Sequence, residues 1–286
     1  MRILIQAPEG LKTKILEIAD QYEDAIIDLD TCYGSCDIKD NEAIELKCDK
    51  IIHFGHNKLI ESKVPVQYNE LRQNLDFIPL LKQNIDKLPN KIGLVTSLQF
   101  LDSLESIKNY LESIGKKVFI GKSEKLYKGQ ILGCDIVAGK QIENKVECFL
   151  YFGSGKFHAL GLALSTNKPV YVLNYEMKKL ELLDTRKFEK QKYAAIELFK
   201  QANIVGILVS TKKGQNNIEL AEIIKNKIKQ KKSYILVMNE ITPEKLEDIK
   251  VDAYINTACP RIAVDNRANF KKPIVNWDEV KDLFKS

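Results

Sequence analysis

The chain has 286 residues, of which 44% are hydrophobic and 29% charged, a balance that excludes disordered and fibrous proteins and allows one large core or two to three small ones. The net charge of +5 comes mainly from lysines scattered on apparent helix faces, so no direct nucleic-acid partner is expected. Only three consecutive apolar residues follow Arg2, and no run approaches the roughly 18 that a membrane helix needs, so we expect a cytoplasmic protein without a membrane partner.

Short β-branched runs alternate with helical patterns along the chain, which predicts the α/β class with mostly parallel sheets. The pattern recurs three times, each time as strand, helix, strand, connection, strand, connection and strand. We expect strands at residues 3–6, 25–29, 50–55 and 64–68, at 91–96, 117–121, 149–153 and 170–174, and at 204–210, 234–238, 253–257 and 273–276. We expect helices at residues 11–22, 101–114, 184–202 and 217–229.

Each repeat spans about 90 residues, a plausible size for a small domain. We therefore predict three similar domains, residues 1–85, 86–190 and 191–286, each with a four-stranded, mostly parallel sheet flanked by helices, in a pseudo-three-fold arrangement. Ligands of open α/β sheets bind beyond the carboxyl ends of the strands. The ends of the third strands are therefore expected to face a common centre: HFGH, FGSGKFHALG and NTACPR.

Three of the six cysteines stand beside turns: Cys36 in DTCYGSCD, Cys134 in GQILGCD and Cys259 in NTACPR. Six cysteines are too few for a disulfide scaffold in a cytoplasmic chain, so these thiols are available to bind metal. They lie roughly 100 residues or more apart, far beyond the spacing of a zinc ribbon or a ferredoxin motif, so each is expected from a different unit. Three thiolates leave one iron of a 4Fe-4S cubane without a protein ligand, and that iron is the expected place of chemistry.

The other three cysteines have plainer explanations. Cys148 opens an apolar strand and Cys48 lies where a helix meets a strand, so both are predicted to be core thiols. Cys32 and Cys36 form C-x-x-x-C, and the spacing alone does not separate them as metal ligands. Turn-forming residues beside Cys36, Cys134 and Cys259 favour these three, because sharp turns expose backbone N–H groups to cluster sulfides.

The segment FGSGKFHALG predicts a strand, a glycine-rich turn and the start of a helix. Backbone N–H groups of such a turn can receive a carboxylate or a phosphate, which makes candidate binding residues of Gly153, Ser154, Gly155 and Lys156. A tight turn without a ligand is the alternative interpretation.

The chain has only three histidines, His53, His56 and His158, and all of them fall in the strand-end segments. They are our candidates for ligand binding or proton transfer. The alternative is that each is a hydrogen-bonded histidine that supports the site without touching a substrate.

Six segments together, in their order along nearly the whole chain, resemble those of the archaeal diphthamide synthase family: DTCYGSCD, HFGH, GQILGCD, FGSGKFHALG, STKKGQ and NTACPR. The resemblance implies a homodimer of three-domain α/β subunits in which each domain gives one cysteine to a 4Fe-4S cluster. Carried over by motif, those ligands are Cys36, Cys134 and Cys259. Cys32 is a departure, because relatives often have a non-ligand residue there.

The resemblance also implies a reaction. S-adenosylmethionine binds near the open iron, and one electron from the reduced cluster breaks its sulfonium bond to the methionine Cγ. A 3-amino-3-carboxypropyl radical and methylthioadenosine result, and the radical adds to the imidazole C2 of a histidine in translation elongation factor 2. An electron donor is a further implied partner. The sequence has no obvious acid–base dyad, which agrees with a reaction centred on the cluster.

Two alternatives stay open at this point. One is a quinolinate-synthase-like enzyme, which also has small α/β domains around a 4Fe-4S cluster but binds small acids. The other is a non-catalytic protein in which the thiols hold zinc.

Overall fold

The structure is a computed structural model that describes residues 1–284. It contains three mostly parallel sheets flanked by helices, which confirms the predicted α/β class. The chain divides into two compact units, Met1–Asp184 with two sheets and Thr185–Ser286 with one. The expected boundary at residue 190 falls inside the helix Arg186–Gln201, and the division into three domains stays a prediction.

The first sheet has the strand order β2-β1-β3-β4, and all its strands are parallel. Its strands are β1 (Ile3–Gln6), β2 (Ala25–Ile27), β3 (Lys50–Phe54) and β4 (Val66–Asn69). The helix expected at 11–22 is instead a 3-10 helix followed by a single α-helical turn. Pro8 precedes the 3-10 helix and Gly10 lies in it, and glycine is a poor α-helix former.

The second sheet has five strands in the order β6-β5-β7-β8-β9, and not the four that we expected. They are β5 (Lys91–Thr96), β6 (Lys117–Phe119), β7 (Cys148–Gly153), β8 (Val170–Asn174) and β9 (Lys179–Leu182). The additional strand β9 forms an antiparallel hairpin with β8, and Lys178 in the turn has a left-handed φ of 49°. This turn has no glycine and the strand is only 4 residues long, so the sequence pattern gave no sign of either.

The third sheet has the order β11-β10-β12-β13 and is entirely parallel, as expected. Its strands are β10 (Ile204–Ser210), β11 (Lys232–Met238), β12 (Ala253–Asn256) and β13 (Ile274–Asn276). In each sheet the first and third strands of the repeat lie side by side at the centre, where side chains on both faces are buried. Burial on both faces explains why these strands appear in the sequence as continuous apolar runs.

The α-helices are Ile15–Ala19, Asp40–Glu45, Ile78–Lys82, Leu104–Ser113, Val137–Lys140, Phe157–Ala163, Arg186–Gln201, Ile218–Lys227, Pro243–Leu246, Ile262–Asp265 and Trp277–Val280. The 3-10 helices are Glu9–Lys14, Ile85–Lys87, Leu98–Ser103, Glu143–Lys145, Lys213–Gln215, Arg267–Asn269 and Lys281–Phe284. Within residues 1–284, no helix has both the length and the apolar character needed to cross a membrane.

Candidate active site

The Cys36 loop (residues 31–37) follows strand β2 and is held by polar contacts. The Ser35 hydroxyl donates to the Asn57 backbone oxygen at 2.5 Å, and the Gln6 side-chain amide donates to the Asp37 backbone oxygen at 2.6 Å. Gln6 is the last residue of β1 and is fully buried, as is Ser35. The loop is therefore anchored on both sides of Cys36, whose side chain is half-buried.

The Cys134 loop (residues 129–135) follows the second strand of its repeat. A backbone hydrogen bond of 2.8 Å from Leu132 to the Asp135 oxygen closes a tight turn around Cys134, and the Ser123 hydroxyl donates to Asp135 Oδ2 at 2.8 Å. Asp135 Oδ1 accepts the N–H of Val137 at 3.1 Å, at the start of the next helix. The Cys134 thiol itself is exposed.

Asn57 connects these two loops within the first compact unit. Besides the bond from Ser35, its Oδ1 accepts from the Gln130 side-chain amide at 2.8 Å, and its own amide lies 3.4 Å from the Lys125 oxygen. Asn57 and Gln130 are both buried. The sequence analysis did not identify either residue as functional, although Asn57 directly follows HFGH and Gln130 lies within GQILGCD.

The Cys259 loop (residues 256–261) lies in the second compact unit, after β12. The buried Asn256 donates through Nδ2 to the Cys259 backbone oxygen and to Asn276 Oδ1, both at 2.8 Å, and its Oδ1 accepts from the Ala258 N–H at 3.2 Å. The Asn276 amide donates to the Pro260 oxygen at 3.0 Å. Two asparagines at the ends of neighbouring strands thus fix the loop, while the Cys259 side chain is half-buried.

Burial separates the six cysteines into two groups. Cys32, Cys48 and Cys148 are buried, whereas the thiols of the three loops just described are exposed or half-buried. Burial raises the pKa of Cys32 and of Cys148 to about 12, so both stay protonated thiols at neutral pH. The prediction that Cys48 and Cys148 are core residues is confirmed, since each lies in a hydrophobic cluster.

His53 and His56 are brought into contact at the end of β3. His53 Nε2 lies 3.0 Å from His56 Nδ1, and His53 Nδ1 lies 3.1 Å from Gln6 Oε1. Gly55 between them has a left-handed φ of 83°, which turns the chain so that the second ring reaches the first. Burial lowers the pKa of His53 to about 3 and that of His56 to about 4, so both rings are neutral at pH 7.

The glycine turn (residues 153–156) joins β7 to the helix Phe157–Ala163. Gly153 and Gly155 have φ values of 154° and 62°, which L side chains rarely adopt, and a Cβ on Gly155 would meet nothing within 4 Å. The exposed Lys156 forms an ion pair of 2.9 Å with Glu181 of β9. The sequence did not predict this partner, because β9 itself was missed.

His158 lies on the helix that follows the glycine turn, and it is half-buried. Its ring packs edge-on against Phe157 with 5.1 Å between the ring centres. The structure thus places two of the three candidate histidines in one pair at the end of β3, and the third on the helix that follows β7.

Comparison with known proteins gives consistent matches over the whole chain. The model of the diphthamide synthesis protein family matches residues 7–285. Proteins named 2-(3-amino-3-carboxypropyl)histidine synthase are 34% identical in Pyrococcus horikoshii, over 99% of this chain and 85% of that protein, and 34% identical in Methanocaldococcus jannaschii, over 100% and 85%. Subunit 1 of the synthase of the same name from Schizosaccharomyces pombe is 30% identical over 99% of this chain and 70% of that subunit.

A solved structure is equally similar. Dph2 from Pyrococcus horikoshii, crystallised with a 4Fe-4S cluster, superposes with a TM-score of 0.91 at 33% identity, over 99% of this chain and 86% of that one. With the family model matching nearly every residue and relatives above 30% identity over most of their length, the chain belongs to the diphthamide synthesis protein family.

Proposed function

We propose that this protein is a 2-(3-amino-3-carboxypropyl)histidine synthase. It transfers the 3-amino-3-carboxypropyl group from S-adenosylmethionine to a histidine of translation elongation factor 2 by a radical mechanism, the first step of diphthamide biosynthesis. The observation that carries the proposal is the likeness to Dph2 from Pyrococcus horikoshii, which was solved with a 4Fe-4S cluster. The relatives named as synthases support the identity of the transferred group and of its acceptor side chain.

Cys36, Cys134 and Cys259 are the proposed ligands of the cluster. A soft thiolate suits iron-sulfur clusters, and a cubane needs more open space at its ligand thiols than a single metal ion does. These three thiols are exposed or half-buried, whereas the other three are buried, and Cys48 and Cys148 lie within hydrophobic clusters. The donor set of the chain therefore fits a cluster with three protein ligands.

The protein's contribution is to hold the three loops and to orient the co-substrate. When bound, a reduced 4Fe-4S cluster supplies the single electron that cleaves a sulfonium–carbon bond. The orientation of S-adenosylmethionine decides which of its three such bonds breaks. Residues that fix this orientation therefore decide the product, and no catalytic acid–base dyad is required.

The glycine turn is the proposed site for the methionyl carboxylate of S-adenosylmethionine. Gly153, Ser154 and Gly155 offer backbone N–H groups, and the space beside Gly155 leaves room for a ligand to approach the backbone. Lys156 adds a positive charge, although its pairing with Glu181 screens that charge in the free protein. The backbone N–H groups are therefore proposed to provide most of the binding of the carboxylate, and Lys156 is proposed to contribute less.

We propose different roles for the three histidines. His158 follows the glycine turn directly and is proposed to contact the co-substrate there. His53 and His56 are neutral and hydrogen-bonded to each other, so they are poor proton donors at neutral pH. We assign them to the architecture of the Cys36 loop, through the shared contact of Gln6 with His53 and with Asp37.

Within the chain, we propose that three domains, residues 1–85, 86–190 and 191–286, contribute one cysteine each. The proposed function also has three partners: a second copy of the chain in a homodimer, an electron donor that reduces the cluster, and the elongation factor as the protein substrate.

The decisive experiment is anaerobic incubation of the reduced protein with S-adenosylmethionine and elongation factor 2, followed by mass analysis of the factor. The proposal predicts the gain of one aminocarboxypropyl group on a single histidine. An unmodified factor, with a cluster-loaded and reduced enzyme, would contradict it.

Visible absorbance of the anaerobically purified protein separates an iron-sulfur protein from one that holds only zinc in these thiols. Quinolinate-synthase-like activity predicts no cleavage of S-adenosylmethionine.

A further inference from the structure

We propose that Cys32, His53 and His56 form a zinc site that is separate from the three thiols assigned to the cluster. One possible ligand atom from each of these residues lies within 4.8 Å of the others. A thiolate with two imidazoles is a donor set that Zn²⁺ takes in many proteins, with four ligands at the corners of a tetrahedron. Three protein ligands leave the fourth corner for water or another small ligand.

The distance between the two rings matches such a site. With Zn–N bonds of about 2.0 Å and a tetrahedral angle, two imidazole nitrogens on one ion stand about 3.3 Å apart. His53 Nε2 and His56 Nδ1 stand 3.0 Å apart. A shift of about 0.3 Å between the rings therefore opens the geometry that a zinc ion requires.

The cysteine sulfur needs a slightly larger movement. In a tetrahedral zinc site, the sulfur and each nitrogen stand about 3.6 Å apart. In this structure the ligand atoms of Cys32, His53 and His56 lie within 4.8 Å of one another. Cys32 is in a segment without helix or strand, and its thiol donates weakly to the Gly34 oxygen at 3.8 Å. A rotation of this side chain therefore costs little hydrogen-bond energy.

A hydrogen bond to Gln6 orients the His53 ring for metal binding. Gln6 donates its amide N–H to the Asp37 oxygen at 2.6 Å, which turns its Oε1 toward His53 Nδ1 at 3.1 Å. His53 Nδ1 must then carry the proton, and Nε2 presents its lone pair toward His56. Most zinc-bound histidines are oriented by such a hydrogen bond on the other ring nitrogen.

A zinc ion at this place would bind Cys32 as the thiolate and would displace the thiol proton, as coordinating metals do. The ion would join the segment before Cys36 to the end of β3 and so fasten the Cys36 loop.

The test measures zinc in a variant that cannot hold the cluster, Cys36→Ser with Cys134→Ser and Cys259→Ser. After treatment with a chelator, this 286-residue chain is titrated with ZnCl₂ against a chromophoric competitor and, separately, with CoCl₂. We expect one equivalent of Zn²⁺ per chain, and with Co²⁺ the intense visible bands of a tetrahedral ion with a thiolate charge-transfer band. Adding Cys32→Ser or His56→Ala should weaken zinc binding by about 100-fold or more. Adding Cys48→Ser, another buried cysteine, should change nothing.

No zinc uptake by the folded triple variant, or equal uptake with and without Cys32, would overturn the proposal. A measurement on the unaltered protein covers the case in which the triple variant does not fold. X-ray absorption at the zinc edge of the cluster-loaded chain, isolated from zinc-supplemented cells, should show one sulfur at about 2.3 Å and two nitrogens at about 2.0 Å. Zinc that is absent, or that is bound by several sulfurs, would contradict the site. Neither result depends on transfer activity.

Discussion

Gly161 and Gly133 lie so close together that no side chain fits between their backbones. A Cβ built on Gly161 would lie 2.4 Å from the Gly133 carbonyl oxygen and 3.1 Å from its Cα. Gly133 precedes Cys134, and Gly161 lies on the helix Phe157–Ala163 that follows the glycine turn. The proposed co-substrate site and a proposed cluster ligand are therefore joined by one backbone contact.

This contact predicts the effect of Gly161→Ala. The added methyl group meets backbone that cannot rotate away, so the Cys134 loop must shift. We expect a loss of about 1–3 kcal/mol in the free energy of unfolding and less iron per chain after anaerobic reconstitution. Thermal denaturation and iron analysis check these two results. Gly10→Ala is the matched control, since a Cβ there meets nothing within 4 Å. Full iron content and unchanged stability in Gly161→Ala would show that the loop adapts freely.

Asn256 is expected to hold the Cys259 loop in place. Asn256→Ala removes the donor of two 2.8 Å hydrogen bonds and leaves two partly buried acceptors without it, which costs about 1–3 kcal/mol. Chemical denaturation should show this loss, and the reconstituted cluster should lose iron faster on exposure to a chelator. Asn203→Ala serves as the control, because Asn203 is exposed. A cluster as durable as that of the unaltered chain would separate Asn256 from the cluster site.

The glycine turn predicts a graded effect at Gly155. A φ of 62° costs a bulky residue such as valine about 1–2 kcal/mol, whereas asparagine tolerates this conformation better. Gly155→Val should weaken the binding of S-adenosylmethionine about tenfold, and Gly155→Asn should weaken it less, with normal iron content in both. Isothermal titration with the anaerobic, cluster-loaded protein measures the binding. If Gly155→Val instead loses its iron and binds normally per cluster, the turn has a structural role only.

The stability of the first compact unit should depend on pH through Glu143. Hydrogen bonds from Lys140 and Thr166 lower the pKa of Glu143 to about 2, from 4.5 in the unfolded chain. Because the folded form has the lower pKa, the stabilisation is complete above about pH 4.5 and is lost as the pH falls toward 2. Glu143→Gln should cost about 1–2 kcal/mol at pH 7, and this difference should shrink through that range.

Denaturant titrations of both proteins between pH 7 and pH 2.5 measure this prediction. Glu112→Gln is the control, since Glu112 is an exposed partner of Lys108 at 3.9 Å. A stability difference that stays constant with pH would assign the effect of Glu143→Gln to packing and not to charge.

Much of the fold was predictable because apolar strand runs are long and helices are periodic. The strands Lys91–Thr96, Val170–Asn174 and Ile204–Ser210 begin and end where the sequence pattern placed them. β9 was missed because its four residues alternate charge and leucine without a turn signal before them. Its Glu181 pairs with Lys156, so missing the strand also hid a partner of the glycine turn.

The site was predictable in its residue types and less so in its contacts. Cys36, Cys134 and Cys259 stood out by their turn-forming neighbours, and their exposure separates them from the buried thiols. Asn57 and Asn256 could not be singled out from the sequence, because a buried asparagine looks like any loop asparagine until its partners are known. Contacts between segments far apart in sequence depend on packing, which local patterns do not contain.

The measurement that tests the central claim most directly is the identity of the nucleoside released from S-adenosylmethionine. The dithionite-reduced, cluster-loaded protein is incubated with S-adenosylmethionine and elongation factor 2, and the products are separated by liquid chromatography with mass detection. We predict methylthioadenosine in amounts equal to the modified histidine, and none when Cys36, Cys134 or Cys259 is replaced by serine. Release of 5′-deoxyadenosine, or methylthioadenosine formed equally by the three serine variants, would contradict the account.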